Sequence, residues 1–185
     1  MRKIIVSEMV TVDGFFAGSN GELDWFIQSE ELDAYAMDLL ESSDTILYGR
    51  KTYEMMAGFW PSAPGNFAAR TNKLPKLVFS KTLQETPWGE WNNAKPIPGD
   101  LAKEVRRLKQ QPGQAIVLYG SGSLVSQLTH MSLINEYRLM VCPVVLGTGR
   151  SLFQGASKAL LTLVETKKFG SDIVLLRYQP DRKES

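Results

Sequence analysis

Three short stretches place a hydroxyl or a cation directly behind a buried-type apolar run. In ILYGRKT the run ends at Tyr48 and gives way to Gly49, Arg50, Lys51 and Thr52, after which apolar residues return at helical intervals. LVFSKT ends on Ser80 and Lys81 and the following threonine, and LYGSGSL continues into Gly120, Ser121, Gly122, Ser123 and Leu124. A helix that starts at the end of a strand points its free backbone N–H groups and the positive end of its dipole at that edge, where an anion is stabilised. Arg50 adds a bidentate donor suited to phosphate and Thr52 a hydroxyl, while small residues let the backbone approach a pyrophosphate closely. Alone, each stretch reads equally well as an ordinary helix start with exposed cations. LYGSGS lacks the third glycine and the downstream acid of a dinucleotide fingerprint, and no Gly-Lys-Ser/Thr makes it a P-loop. Their force lies in convergence, because the ends of adjacent parallel strands meet in one crevice.

The elements that must position these residues alternate strand and helix. KIIVSEMVTV is rich in β-branched residues and reads as a first strand, closed by the turn pair Asp13-Gly14, which makes Asp13 a turn former first and a candidate for substrate contact second. In SEELDAYAMDLLESSD, Leu32, Ala36, Leu39 and Leu40 share one helical face behind Ser29 as N-cap. TILYG, PKLVFS and AIVLYG are short, continuously apolar strands of the kind found in parallel sheets. DLAKEVRRLKQ gives Leu101, Val105 and Leu108 one face, with Asp100 as N-cap and Pro112-Gly113 as stop, and SLVSQLTH is a shorter helix. The connection TLQETPWGEWNNAKPIPGD is the most loop-like part of the chain, with Trp88 and Trp91 expected to pack it down. From EYRLMVCPVVLG onward, through ALLTLVETKKF and DIVLLRYQP, strands follow one another without helices. The pattern is therefore an α/β mixed sheet, mainly parallel, with antiparallel C-terminal strands.

Composition narrows the function classes. The 185 residues suit one domain, residues 1–185, with 43% hydrophobic and 22% charged residues. A net charge of +1 offers no field for nucleic acid or an anionic membrane, so the cations must act locally. One cysteine and one histidine exclude an internal disulfide and speak against a zinc site, so no metal is expected. Cys142 reads as an inert buried thiol and KEVRRLK as a solvated helix face. No apolar run is long enough to span a membrane, and the N-terminus lacks the pattern of a secretory leader because Glu8 and Asp13 interrupt it, so a cytoplasmic location is expected.

The order and spacing of ILYGRKTYE, LVFSKT and LYGSGSLVSQL resemble those of the dihydrofolate reductase superfamily. VTVDGFFAG and CPVVLGTGRSLFQG resemble its branch built on the C-terminal reductase domain of the bifunctional riboflavin-biosynthesis deaminase/reductase. The resemblance covers nearly the whole chain. It implies a dihydrofolate-reductase-like sheet flanked by helices and NADPH as cofactor. Gly49, Arg50, Lys51 and Thr52, with Ser80 and Lys81, would hold the 2′-phosphate and the neighbouring phosphate, and Gly120 to Leu124 would line the pyrophosphate. The nicotinamide would lie near Val10, Phe16 and Ala17.

The implied reaction is hydride transfer from NADPH to a small heterocyclic or ribosylamine substrate, as in 5-amino-6-(5-phosphoribosylamino)uracil reductase, with Arg150 as the candidate cation for the substrate phosphate. A homodimer is implied by the resemblance alone. The chain departs from the family patterns in two places. No zinc deaminase motif occurs, and no Pro-Trp pair precedes the first helix as it does in dihydrofolate reductases. Glu22 and Asp24 in GELDWFIQSEE are the carboxylates available for a pterin, and both read equally as loop or cap residues. The alternatives are a dihydrofolate or pterin reductase and a non-catalytic nucleotide-binding module.

Overall fold

A strand that leads into a helix and returns parallel to itself buries one helical face on the sheet, so repeated strand–helix units build a parallel sheet with helices on both sides. The computed structural model, which describes residues 1–170 and 172–181, follows this scheme. In chain order the elements are β1 (Ile4–Thr11), β2 (Phe15–Ala17), α1 (Glu30–Glu41), β3 (Ser43–Gly49), α2 (Arg50–Phe59), α3 (Asn66–Lys73), β4 (Lys76–Phe79), β5 (Ala94–Ile97), α4 (Leu101–Gln110), β6 (Ala115–Leu118), α5 (Gly122–His130), β7 (Glu136–Cys142), β8 (Arg150–Ser151), β9 (Leu161–Lys168) and β10 (Val174–Pro180). The central sheet has the order β5-β4-β3-β6-β1-β7-β10-β9, and β2 pairs with β8 in a separate two-stranded sheet. Every junction from β5 to β7 is parallel, and β10 is antiparallel to both β7 and β9. None of the described helices is long and apolar enough to cross a membrane.

Side-chain alternation along β3 sorts the core into two layers. Ile46 and Tyr48 join Leu39, Leu40, Tyr53, Leu74 and Trp88 on the face of α1, α2 and α3, whereas Leu47 joins Val105, Leu108, Val125 and Leu128 on the face of α4 and α5. The connection after β4 is held by its tryptophan. Trp88 is fully buried, stacks on Tyr48 with ring centroids 6.0 Å apart, and donates from Nε1 to Asn72 Oδ1 at 2.8 Å. That anchor lets the chain add β5 as an edge strand where the sequence reads as loop.

Two helix starts read from the sequence carry the caps expected of them. Ser29 Oγ accepts from Leu32 N at 3.2 Å and Asp100 Oδ1 accepts from Lys103 N at 2.8 Å. Ser29→Ala is expected to cost about 1 kcal/mol in chemical unfolding, the usual worth of such a cap. The strand reading of EYRLMVCPVVLG is too long: β7 stops at Cys142, because Pro143 has no N–H to extend the ladder.

Candidate active site

The order β4-β3-β6 sets three strand ends side by side, and the motifs after them interlock. Gly49 is packed so closely that a Cβ would lie 2.2 Å from Ser121 Oγ, and a Cβ on Gly120 would lie 2.6 Å from Thr52 Cγ2. Gly120 also has φ +63°, a left-handed conformation that glycine adopts without steric cost. Each loop thus fits only because the other has a glycine opposite it.

Two helices begin here without side-chain caps. α2 starts on Gly49 and α5 on Ser121, and neither N-cap accepts a side-chain hydrogen bond, unlike α1 and α4; α3, which starts on Gly65, also lacks one. At α5 the N–H of Leu124 is taken by Ser121 O at 2.8 Å, and the Leu124 side chain is buried in the core. The N–H groups of Gly122 and Ser123 precede any intrahelical acceptor and are open to an anion. Gly120 differs, because its N–H donates to Glu8 Oε1.

Cations surround this edge. Arg50 donates to Glu54 Oε1 at 2.7 Å and to Thr82 Oγ1 at 2.9 Å, which ties the β3 end to the loop after β4. Ser80 Oγ accepts from the N–H groups of Thr82 and Leu83, at 3.2 and 3.1 Å, and so shapes that loop. Lys51 and Lys81 are exposed, and among the described residues neither ammonium makes a hydrogen bond or an ion pair.

Beside these strand ends the sheet splits. The β1–β6 ladder stops at Val6 and Leu118, while the β1–β7 ladder runs on to Thr11 and Cys142. The gap opens into a cavity of about 310 Å³, walled mainly by apolar side chains such as Met9, Phe26, Met55, Met56, Trp60 and Met140. Glu8, Lys51, Thr52, Tyr119, Gly120 and Arg150 supply much of its polar lining. Burial lifts the Glu8 carboxyl to about 8, opposed by the hydrogen bond from Gly120. Native Glu8 therefore holds a proton that the unfolded chain loses near pH 4.5, so stability falls as pH rises through the window up to about 8. A loss of about 2 kcal/mol between pH 5 and pH 7 is expected from denaturant unfolding. The Glu8→Gln variant should lack that component.

Of the nicotinamide candidates, Phe16 and Ala17 line the cavity at this split, whereas Val10 packs in the core and is not part of the lining. Val10 is buried opposite Val141 in β1, and Phe16 and Ala17 line β2, with Phe16 Cε1 2.8 Å from where a Cβ on Gly122 would be. Ala17 pairs with Arg150 across the β2–β8 ladder, which carries the guanidinium to the cavity, where its Nε donates to Ser19 O at 3.2 Å. Asp33 of α1 also reaches the lining, whereas the three acids singled out from the sequence lie outside it. Asp13 accepts from Thr11 Oγ1 at 2.6 Å and from Gly147 N at 2.7 Å, clipping two loops together, and these bonds, the Thr11 hydroxyl first, hold its carboxyl below the usual range. Glu22 is exposed and accepts from Asn20 N and Nδ2, at 2.9 and 2.7 Å, and Asp24 is exposed. Glu8 and Tyr119 are not among the candidate residues read from the sequence, although Tyr119 lies within LYGSGSL and an acid inside a doubly buried strand is itself a signal, since such a group is costly without a partner or a proton.

The comparisons with known proteins agree with this fold. Protein YyaP of Bacillus subtilis strain 168, itself uncharacterized, is 36% identical over 183 residues, which is 96% of this chain and 94% of YyaP. The fold matches that of a protein named for riboflavin biosynthesis from Shewanella sp. PV-4, with TM-score 0.81 and 23% identity over 97% of this chain and 99% of the other. It also matches the Thermotoga maritima diaminohydroxyphosphoribosylaminopyrimidine deaminase/5-amino-6-(5-phosphoribosylamino)uracil reductase, with TM-score 0.70 and 13% identity over 97% of this chain and 56% of that one. Enterococcus faecalis dihydrofolate reductase, complexed with NADP(H), gives TM-score 0.66 and 13% identity over 97% of this chain and 96% of the other. At these identities the structures establish the dihydrofolate-reductase-like fold. The sequence model of the RibD C-terminal domain family matches residues 2–175, and the chain belongs to that family.

Proposed function

We propose that the protein is an NADPH-dependent reductase of a small heterocyclic or ribosylamine substrate, with 5-amino-6-(5-phosphoribosylamino)uracil as the candidate. The observation that carries this reading is the pair of uncapped helix starts at Gly49 and Ser121, flanked by unpaired Lys51 and Lys81, beside an apolar cavity. These residues fit the cofactor. The open N–H groups of α5 would receive the pyrophosphate, as Gly122 and Ser123 have no intrahelical acceptor. Arg50, Lys51, Thr52, Ser80 and Lys81 would receive the 2′-phosphate and its neighbour, and Phe16 and Ala17 would seat the nicotinamide at the split. Bound NADPH would supply a hydride. The apolar walls exclude water and hold the heterocycle, and Arg150 at the mouth would take the substrate phosphate. The proposed compartment is the cytoplasm. The homodimer implied by the resemblance is supported by Leu163 and Val164, which are exposed on edge strand β9.

The test is loss of NADPH absorbance on adding 5-amino-6-(5-phosphoribosylamino)uracil, with dihydrofolate as the comparison. Oxidation with the uracil compound alone is expected. Oxidation with dihydrofolate instead would make the protein a pterin reductase, and NADPH binding without turnover of either would support a nucleotide-binding module.

A further inference from the structure

The described residues include two buried acids, and they are treated differently. Glu136 is neutralised by Arg138 and Arg177, at 2.7 and 3.0 Å. Among the described residues Glu8 makes no ion pair, and the only hydrogen bond to its carboxyl comes from Gly120 N. Its side chain fills the split between β1 and the departing β6, against the same cavity as Tyr119, whose hydroxyl is buried without a partner. The groups facing Glu8 are the hydroxyls of Tyr48 from β3 and Tyr119 from the end of β6. Burial keeps both in the neutral form, and Arg138 of β7 acts on Tyr119. Lys51 and Arg150 line the cavity without pairing with Glu8. A carboxyl left unpaired in such a place serves as an acid more readily than as a structural charge.

We propose that Glu8 is the catalytic acid of the reduction, giving its proton to the nitrogen or oxygen of a C=N or C=O group held in the cavity. The inference rests on the reductase reading above and adds the residue that completes it. As hydride arrives on the substrate carbon, the π pair of the double bond moves to the heteroatom. That atom forms its new bond to the Glu8 proton, and the O–H pair stays on the carboxylate. The substrate gains one hydride and one proton, the cofactor is oxidised, and Glu8 regains its proton from water. The substrate class follows: a flat heterocycle that packs on the apolar walls, with its phosphate at Arg150 and one C=N or C=O group aimed between Glu8 and Tyr119.

Glu8→Gln keeps an acceptor for Gly120 N but has no proton to give, so fold and cofactor loop should survive. The first readout is the ¹³C carboxyl resonance of labelled glutamate that vanishes in this variant. It is expected to be protonated at neutral pH and to titrate near 8. The second readout is turnover of 5-amino-6-(5-phosphoribosylamino)uracil, where Glu8→Gln should lower kcat about 100- to 1,000-fold with NADPH affinity unchanged within about threefold, and Glu8→Asp should recover part of the loss. A resonance already ionised at about pH 6, or wild-type kcat in Glu8→Gln, would overturn the proposal. A wild type that binds NADPH but reduces neither this compound nor dihydrofolate would overturn the acid role, whatever the titration shows. Absence of NADPH binding would overturn the reductase reading, and the acid role with it.

Discussion

Replacing Arg50 and Lys81 together by alanine is expected to weaken NADPH binding about 100-fold and to leave NADH binding within about threefold. Both cofactors share the pyrophosphate, so the uncapped start of α5 serves them equally; only NADPH carries a 2′-phosphate. Hydrogen bonds to a charged group are worth roughly 1.5–3 kcal/mol. Both cations are exposed and therefore screened, which places each near about 1.4 kcal/mol, or tenfold. Arg50 is also held by Glu54 and Thr82, so it is already oriented when the ligand arrives. Fluorescence titration of the variant with each cofactor checks the ratio, and circular dichroism should find the fold intact. Equal losses for both cofactors would move these residues from the 2′-phosphate to the shared part of the molecule.

Gly120→Ala is expected to remove NADPH binding and to cost about 3 kcal/mol in unfolding free energy. The new Cβ would lie 2.6 Å from Thr52 Cγ2 and 2.7 Å from its Oγ1, at a residue with φ +63°. Left-handed backbone costs an L-residue about 1–2 kcal/mol and overpacking about 1–3 kcal/mol. The displaced turn would carry Glu8 and the open N–H groups of Gly122 and Ser123 with it. Adding Thr52→Ala should restore the packing component and leave the backbone component, a coupling that a double-mutant cycle reads directly. Full stability and binding in Gly120→Ala alone would contradict the interlock.

Much of this architecture was legible because the apolar runs of β3, β4 and β6 are continuous and each is punctuated by a glycine or a hydroxyl. The helices α1 and α4 announced themselves through Ser29 and Asp100, whose caps are local. What escaped depends on contacts distant in sequence. Strand β5 forms because Trp88 is buried against Tyr48 and Asn72, and no local pattern in AKPI reports that. Helix α3, NFAARTNK, has only a short apolar stripe, with Phe67 packed on the core and Ala68 and Thr71 buried. The β2–β8 pair joins Phe15 to Ser151 and Ala17 to Arg150, more than 100 positions apart.

The site divides in the same way. The proposed anion-binding groups were readable because they follow strand ends, whereas Glu8 and Tyr119 acquire their proposed role only where the sheet splits. Asp13, Glu22 and Asp24 looked chemically eligible, but hydrogen bonds from Thr11 and the sequence-distant Gly147 occupy Asp13, those from Asn20 occupy Glu22, and none of the three lines the cavity.

The most direct test of the account is the ratio of NADPH to NADH affinity in the wild-type protein, measured by fluorescence titration at fixed ionic strength. NADPH is expected to bind at least about tenfold more tightly, with a preference that shrinks as salt screens Arg50, Lys51 and Lys81. Equal affinity for the two cofactors, or no binding of either, would contradict it.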